Sequence, residues 1–100
     1  MVYRSNIIGM RHRSRTEIVA RILEIVNEGD KFGNGGVSKT KIMYKAFLSY
    51  AQLKEYLTVL TKSDLLRYDS QTHRFKATEK GLSLLQAYGQ IEQLMKDQRI

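Results

Sequence analysis

SKTKIMYKAFLSYAQLKEYLTVLTKSDLLRYDSQTHRFKATEKG, residues 38–81, is the most informative part of the chain. It contains two serines, Ser38 and Ser49, that are each followed by apolar residues at helical spacing. Serine is a favoured N-cap because its hydroxyl accepts a hydrogen bond from a free N–H of the first helical turn. We therefore expect one helix over residues 39–46 and a second that runs from Ser49 to about Lys62.

Both predicted helices have an apolar side that must be buried. In the first, this side is formed by Ile42, Met43 and Ala46. Phe47 is expected to close the turn beside them, and Leu48 to plug the core between the helices. The inward stripe of the second helix comprises Leu53, Tyr56, Leu57 and Leu60. Two capped helices joined by a turn of two or three residues form a helix-turn-helix pair, in which the second is the candidate recognition helix.

A short hairpin follows the second helix. Residues 65–68 and 74–77 favour strands and flank a polar turn at residues 69–72. Thr78 then caps a last helix that is expected to run close to the C-terminus, with Glu79 favourable at its positive end. This order of elements is that of a winged helix-turn-helix. We therefore expect an α+β, mostly α fold with three helices, a two-stranded wing and a C-terminal dimerisation helix.

Another helix precedes the pair. Ser14 and Glu17 have the spacing of a capping box, in which the serine hydroxyl accepts a backbone N–H and the glutamate reaches back to the N-cap. The helix is expected over residues 15–28, with Gly29 ending it in a left-handed conformation. The glycine-rich linker at residues 30–36 is expected to be a mobile loop. It lacks the lysine and serine or threonine that end a phosphate-binding loop, so a flexible connection is favoured over a nucleotide site.

The composition bounds the class of protein. One hundred residues with 42% apolar content suffice for one small domain with a modest core. The net charge is +7: residues 1–76 hold fourteen bases against seven acids, and residues 77–100 hold three of each. Such a basic body with a neutral tail indicates nucleic acid or an anionic membrane surface as partner, although a merely soluble basic protein has the same composition.

Several classes of function are disfavoured. The chain has no cysteine, which excludes disulfides and thiolate metal sites and is typical of a reducing compartment. It has no run long enough for a signal peptide or a membrane span. His12 and His73 have no cysteine or clustered carboxylate near them in the sequence, so neither a triad nor a metal site is expected. We predict a cytoplasmic, nucleoid-associated protein that is not an enzyme and has no cofactor and no small-molecule ligand.

The last helix carries two apolar stripes. Leu82 and Leu85 can pack on the domain. The other stripe has the alternating spacing of a coiled-coil seam and comprises Leu84, Tyr88, Ile91 and Met95. A second copy of the chain, packed tail to tail about a two-fold axis, would bury this seam, and Gly89 would let two backbones approach. In the alternative, the helix folds back on its own domain.

Some of these motifs resemble a known family. KTKIMY at residues 39–44, LSY at 48–50 with the apolar stripe after it, and TEKG at 78–81 are similar to the small archaeal winged-helix DNA-binding proteins, some of them chromatin proteins. The resemblance covers about residues 14–95. It implies a DNA-binding homodimer whose tail helices pair as an antiparallel coiled coil and hold two heads apart. Asp64 stands where such sequences usually have glycine, but aspartate tolerates a left-handed turn.

The chain is accordingly divided into a basic N-terminal arm at residues 1–13, a winged helix-turn-helix domain at residues 14–77 and a dimerisation helix at residues 78–100. The first turn of the recognition helix is expected to enter a major groove. Gln52 is the best candidate base reader because its amide can pair in two ways with adenine, although a solvated glutamine is an equal alternative. Tyr50 is expected either to offer its hydroxyl to a phosphate or to lie in the core.

Phosphate contacts are expected from the lysines of the helix starts, the cations of the hairpin and the arginines of the arm, which would enter a minor groove. The predicted DNA-binding set is Arg11, Arg13, Arg15, Lys39, Lys41, Ser49, Tyr50, Gln52, Lys54, Arg67, His73, Arg74 and Lys76. The ordinary alternative for each is a solvated side chain.

Two functions follow from this pattern. The first is double-stranded DNA binding by a homodimer, as a transcriptional regulator or as a low-specificity chromatin protein. Many cations and few base readers favour the low-specificity form. The second is a protein-interaction adaptor that uses the same fold, has a different partner for the tail and has no affinity for duplex DNA.

Overall fold

A computed structural model describes residues 13–31 and 35–97 of the chain. Over these residues it has four helices and three short strands. In chain order they are α1 (Arg15–Lys31), β1 (Val37–Ser38), α2 (Lys39–Ala46), α3 (Tyr50–Lys62), β2 (Leu66–Asp69), β3 (Arg74–Ala77) and α4 (Glu79–Asp97). This confirms the mostly α, α+β fold class with a helix-turn-helix, a wing and a long last helix.

The start of α1 is the predicted capping box. Ser14 donates its backbone N–H to Oε1 of Glu17 at 2.9 Å, and the Glu17 N–H donates to the Ser14 hydroxyl at 3.0 Å. The predicted end of this helix is wrong, because α1 continues through Gly29 to Lys31. Gly29 is buried, and a Cβ at this position would collide with the side chain of Val37. The glycine therefore permits close packing of α1 on β1 and does not end the helix.

The turn between α2 and α3 differs from the prediction at one residue. Phe47 is 69% exposed and has a left-handed backbone, with φ 56°. The N–H of Leu48 donates to the carbonyl of Met43 at 3.1 Å, which is the bond of a Schellman helix end. This ending turns the chain so that Leu48, as predicted, takes the buried position. Phe47, which was expected beside the buried side of α2, faces solvent.

The wing belongs to a three-stranded antiparallel sheet in the order β1-β3-β2. The two-stranded hairpin is present with β2 one residue later than predicted, and β1 is an addition that the sequence did not indicate, since two residues are too few for a period. Val37 pairs with Phe75 in this sheet. At Gly36, whose φ is 113°, a Cβ would lie 2.6 Å from the Phe75 carbonyl oxygen, so glycine allows β1 to approach β3.

The core lies between α1, the helix-turn-helix and the inner side of the sheet. The predicted stripe of α3 is buried, as is Leu48, and the largest fully buried side chains are Ile22, Leu23, Ile42, Leu53, Leu60, Leu66, Val26 and Val37. Asp64 adopts the expected left-handed conformation before the hairpin, with φ 61°. Thr78 joins this turn to α4, because its hydroxyl donates to the Asp64 carbonyl at 2.6 Å and accepts the N–H of Gly81 at 3.0 Å.

Candidate nucleic-acid interface

The starts of α2 and α3 lie side by side. Nζ of Lys39 is 5.7 Å from the centre of the Tyr50 ring, which is a cation–π distance. Tyr50 is 58% exposed, so the ring is not a core aromatic. Ser38 and Ser49 cap the two helices as predicted, with their hydroxyls accepting the backbone N–H groups of residues 41 and 52. Two helix starts, a lysine and a phenol thus form one exposed surface.

The wing meets this surface at a cleft of about 350 Å³ between the start of α2 and the hairpin. The cleft is lined by Ser38, Lys39, Thr40, Tyr68, His73 and Phe75. The Tyr68 hydroxyl lies 2.8 Å from Nδ1 of His73, and the Tyr68 ring packs 4.8 Å from that of Phe75. These contacts order the hairpin, and the pairing of β1 with β3, in which Ser38 is opposite Arg74, places it next to Lys39. The start of α2 and the hairpin, which are distant in the sequence, are therefore neighbours in the fold.

The outer side of the hairpin is basic. Arg67 is directly opposite Lys76, and Asp69 is directly opposite Arg74. Like charges directly opposite in a sheet are destabilising, so an anion at Arg67 and Lys76 would relieve repulsion. Asp69 accepts the Gln71 N–H at 2.9 Å, and this hydrogen bond holds the pKa of its carboxyl below the usual value. The Asp69 carboxylate therefore stabilises the turn of the hairpin.

Two polar side chains of α3 bond to its own backbone. Oε1 of Gln52 accepts the N–H of Ser49 at 3.0 Å, which completes a reciprocal capping box. The hydroxyl of Thr58 donates to the Lys54 carbonyl at 2.8 Å. Base reading by Gln52 therefore competes with its capping role. The S-x-x-Q spacing of residues 49–52 is the sequence signal that predicts such a box, and it was missed.

The cations of α2, α3 and the arm lie in different settings. Lys41 and Lys54 are exposed, whereas Arg13 is half-buried and donates from Nη2 to the Phe47 carbonyl at 3.2 Å. The Arg15 guanidinium lies 5.2 Å from the centre of the Tyr56 ring. Arg11 is outside the described residues. Of the three arginines predicted to enter a minor groove, the two described ones, Arg13 and Arg15, thus pack on the helix-turn-helix.

The tail helix is partly covered by α1. Leu85 packs against the core, and Tyr88 is half-buried in a groove of about 430 Å³ between the two helices. Burial, and then the charges of Glu92 and Glu17, raise the pKa of Tyr88 above 10. Leu82, which was expected to pack with Leu85, is 39% exposed. The remaining large apolar residues of α4 are also exposed, namely Leu84 at 40%, Ile91 at 56%, Leu94 at 64% and Met95 at 62%.

Two other classes of site have no support in residues 13–31 and 35–97. Within them, no group of three or more histidine, cysteine or acidic side chains is placed to hold a metal ion. None of the helices in these two ranges is both long and apolar enough to cross a membrane.

Comparison with known proteins agrees with the fold. The family model described as winged helix-turn-helix matches residues 12–96. The chain is also similar to the uncharacterized protein MJ0287 of Methanocaldococcus jannaschii. The two are 28% identical over 83 residues, which is 83% of this chain and 77% of that protein.

Proposed function

The chain belongs to the winged helix-turn-helix family, whose members in general bind DNA, and from this premise we propose that it binds double-stranded DNA with little sequence preference, as a homodimer joined through α4. In this fold the recognition helix enters a major groove, and the wing contacts the flanking backbone. The role would be that of a chromatin or architectural protein more than that of a regulator of particular genes.

The observation that carries the proposal is the continuity of the basic surface. Lys39 touches the ring of Tyr50 on one side and lines the cleft with His73 on the other. Lys41 and Lys54 extend this surface along α2 and α3. The hairpin adds Arg67, Arg74 and Lys76. Cations spaced over three elements suit the phosphates of one duplex, since such contacts depend on charge and reach.

Low sequence preference follows from the state of α3. Direct readout needs side chains whose donors and acceptors are free to meet base edges. Gln52 and Thr58 instead satisfy backbone groups of the helix itself. Among the other exposed side chains of α3, Lys54 and Glu55 have opposite charges, and the lysine is suited to a phosphate.

The tail supports a homodimer. α4 has 19 residues, or about 28 Å of helix, and its second half carries Ile91, Leu94 and Met95 in solvent. An apolar stripe of this kind is buried at low cost by its own copy about a two-fold axis. The first half of α4 packs on α1. The alternative, in which the tail helix folds back on its own domain, therefore applies to Leu85 and in part to Tyr88. We retain Leu84, Tyr88, Ile91 and Met95 as the proposed seam, with Leu94 added.

The proposed division of labour keeps residues 1–13 as an arm, residues 14–77 as the DNA-binding domain and residues 78–100 as the dimerisation helix. Cytoplasmic and nucleoid-associated placement is part of the same proposal. The adaptor function would use the tail for a different partner. It has no need of the basic surface and predicts no affinity for duplex.

Titration of labelled duplexes of unrelated sequence tests the proposal. All should bind with similar affinity and lose about a thousandfold between 50 and 200 mM salt, as expected for roughly six phosphate contacts. Lys39→Ala should weaken binding to every duplex equally. Lys96→Ala, which removes the same charge from an exposed site in the tail, is the matched control. A strong preference for one sequence would support a regulator instead, and no binding would support the adaptor.

A further inference from the structure

The outward side of α2 presents an aromatic ring that the core does not use. This helix buries Ile42 and Ala46. Lys41, Tyr44 and Lys45 lie three and four residues apart, so they share the opposite, exposed face. Tyr44 is 70% exposed. Its ring therefore stands in solvent on a face that it shares with two lysines.

A second exposed ring follows at once. Phe47 ends α2, its backbone N–H bonding to the Tyr44 carbonyl at 3.4 Å, and its side chain is 69% exposed. Its left-handed φ of 56° is one that glycine and asparagine adopt more readily than phenylalanine. The core and the proposed duplex contacts of α3 and the wing do not use this ring, which also lines the groove between α1 and α4.

The charge beside Tyr44 on α2 is of one sign. Residues 31–54 contain five lysines and no aspartate or glutamate. Phe47 also lines the groove between α1 and α4, where Arg13 and Arg21 lie with Glu17, Glu24 and Glu92. A polyanion would be attracted to the lysines of α2.

We propose that the surface formed by Lys41, Tyr44, Lys45 and Phe47 binds unpaired nucleotides of single-stranded nucleic acid. Bases in a duplex are covered by their neighbours and offer no face to an aromatic ring. An unpaired base stacks on such a ring, while adjacent lysines reach its phosphates, and this combination is the usual basis of single-strand binding. DNA and RNA share this chemistry. The site shares Lys41 with the proposed duplex surface but lies apart from the first turn of α3, and it does not require duplex binding.

A tryptophan probe tests the stacking directly. The chain has no tryptophan, so Tyr44→Trp provides a single emitter within the proposed site. Oligothymidylate and oligouridylate should quench its emission, whereas a duplex and an abasic strand with the same phosphates should not. Val59→Trp, at a 43% exposed position on α3, is the control and should not respond. Equal quenching by the abasic strand, or in the control, would overturn the proposal.

Affinity measurements separate this site from the duplex interface. Alanine has a high helix propensity and asparagine tolerates a left-handed backbone, so the Tyr44→Ala and Phe47→Asn variants should both fold. Each should weaken oligonucleotide binding about tenfold and leave duplex binding unchanged, while Tyr44→Phe retains affinity.

Duplex binding by the wild-type protein without oligonucleotide binding overturns this inference alone. Oligonucleotide binding without duplex binding supports it and removes the proposed function, and loss of both removes the two together. The preference between the two oligonucleotides identifies DNA or RNA.

Discussion

Gln52 and Ser49 cap α3 reciprocally: the Gln52 side-chain oxygen accepts the Ser49 N–H at 3.0 Å, and the Ser49 hydroxyl accepts the Gln52 N–H at 3.2 Å. The residue with the best chemistry for reading adenine is thus part of the local structure that starts the recognition helix. A capping box satisfies two backbone donors that would otherwise face solvent or DNA unpaired. This pairing gives Gln52 a structural role that can be measured apart from DNA binding.

Replacing Gln52 separates the two roles. Gln52→Ala should lower the free energy of unfolding by about 0.5–1.5 kcal/mol, because one hydrogen bond of the box is lost, and leave relative affinities for different duplexes unchanged. Gln52→Glu keeps the box but adds a negative charge, so it should retain stability and weaken all duplexes. Chemical denaturation and duplex titration give the two readouts. Selective loss of adenine-containing sites in Gln52→Ala would instead establish Gln52 as a base reader.

Replacement by alanine should change the stability of the fold in opposite directions at two glycines that lie in helices. Gly29→Ala should destabilise the fold by about 1–3 kcal/mol, because the new methyl group collides with Val37. Gly89→Ala has open space around the added Cβ and should stabilise α4 by about 1 kcal/mol. Thermal unfolding of both variants provides the comparison. Destabilisation by Gly89→Ala would indicate that a second backbone packs there in the dimer.

The tail stripe should control the oligomeric state. Ile91→Lys combined with Met95→Lys places two charges in the proposed seam and should yield monomers, since buried unpaired charges are costly. Gln90→Lys combined with Gln93→Lys adds the same charge without removing an apolar side chain and serves as the control. Light scattering gives the mass of each. A wild-type monomer, or a dimer that survives the first pair, contradicts the proposed seam.

Tyr88 should make stability fall at high pH. Its pKa is raised above 10 in the fold by burial beside Glu92 and Glu17, so the folded state prefers the neutral phenol more strongly than the unfolded chain does. This contribution is complete below about pH 10 and is lost as the pH rises through the folded pKa. The Tyr88→Phe variant should therefore lose less stability than the wild type between about pH 8 and pH 11. Equal losses in denaturant titrations would show that Tyr88 ionises freely in the fold.

The parts of the fold that were predicted correctly are those in which the signal is local. The caps at Ser14, Ser38 and Ser49 each act within three residues, and the buried stripe of α3 recurs every three or four. The wrong predictions concern residues whose partners are distant. The pattern at Gly29 predicts a helix end, because a glycine after an apolar repeat usually is one. Its actual role depends on Val37, across the linker.

Phe47 and Tyr88 also show that local sequence patterns do not determine which residues are buried by distant partners. An apolar residue at the end of a short helix is ordinarily buried, and only the left-handed turn at Phe47 sends the next residue, Leu48, into the core instead. Tyr88 has the spacing of a seam residue, yet α1 half-covers it. Which apolar residue remains exposed depends on how the elements pack, and exposed apolar residues are the ones that suggest partners here.

The sequence alone therefore determined the element order, the caps and the helix-turn-helix, because hydrogen bonds and side-chain contacts within a helix join residues three or four apart. Its composition determined the basic character of the chain. Long-range packing established the strand β1, the cleft that brings Lys39 to His73, the anchoring of Arg13 on Phe47 and the covered half of α4. These contacts join residues more than ten positions apart. Their geometry follows from the shape of the whole core, in which Gly29 and Gly36 set how closely the elements approach, and periodicity carries no information about that approach.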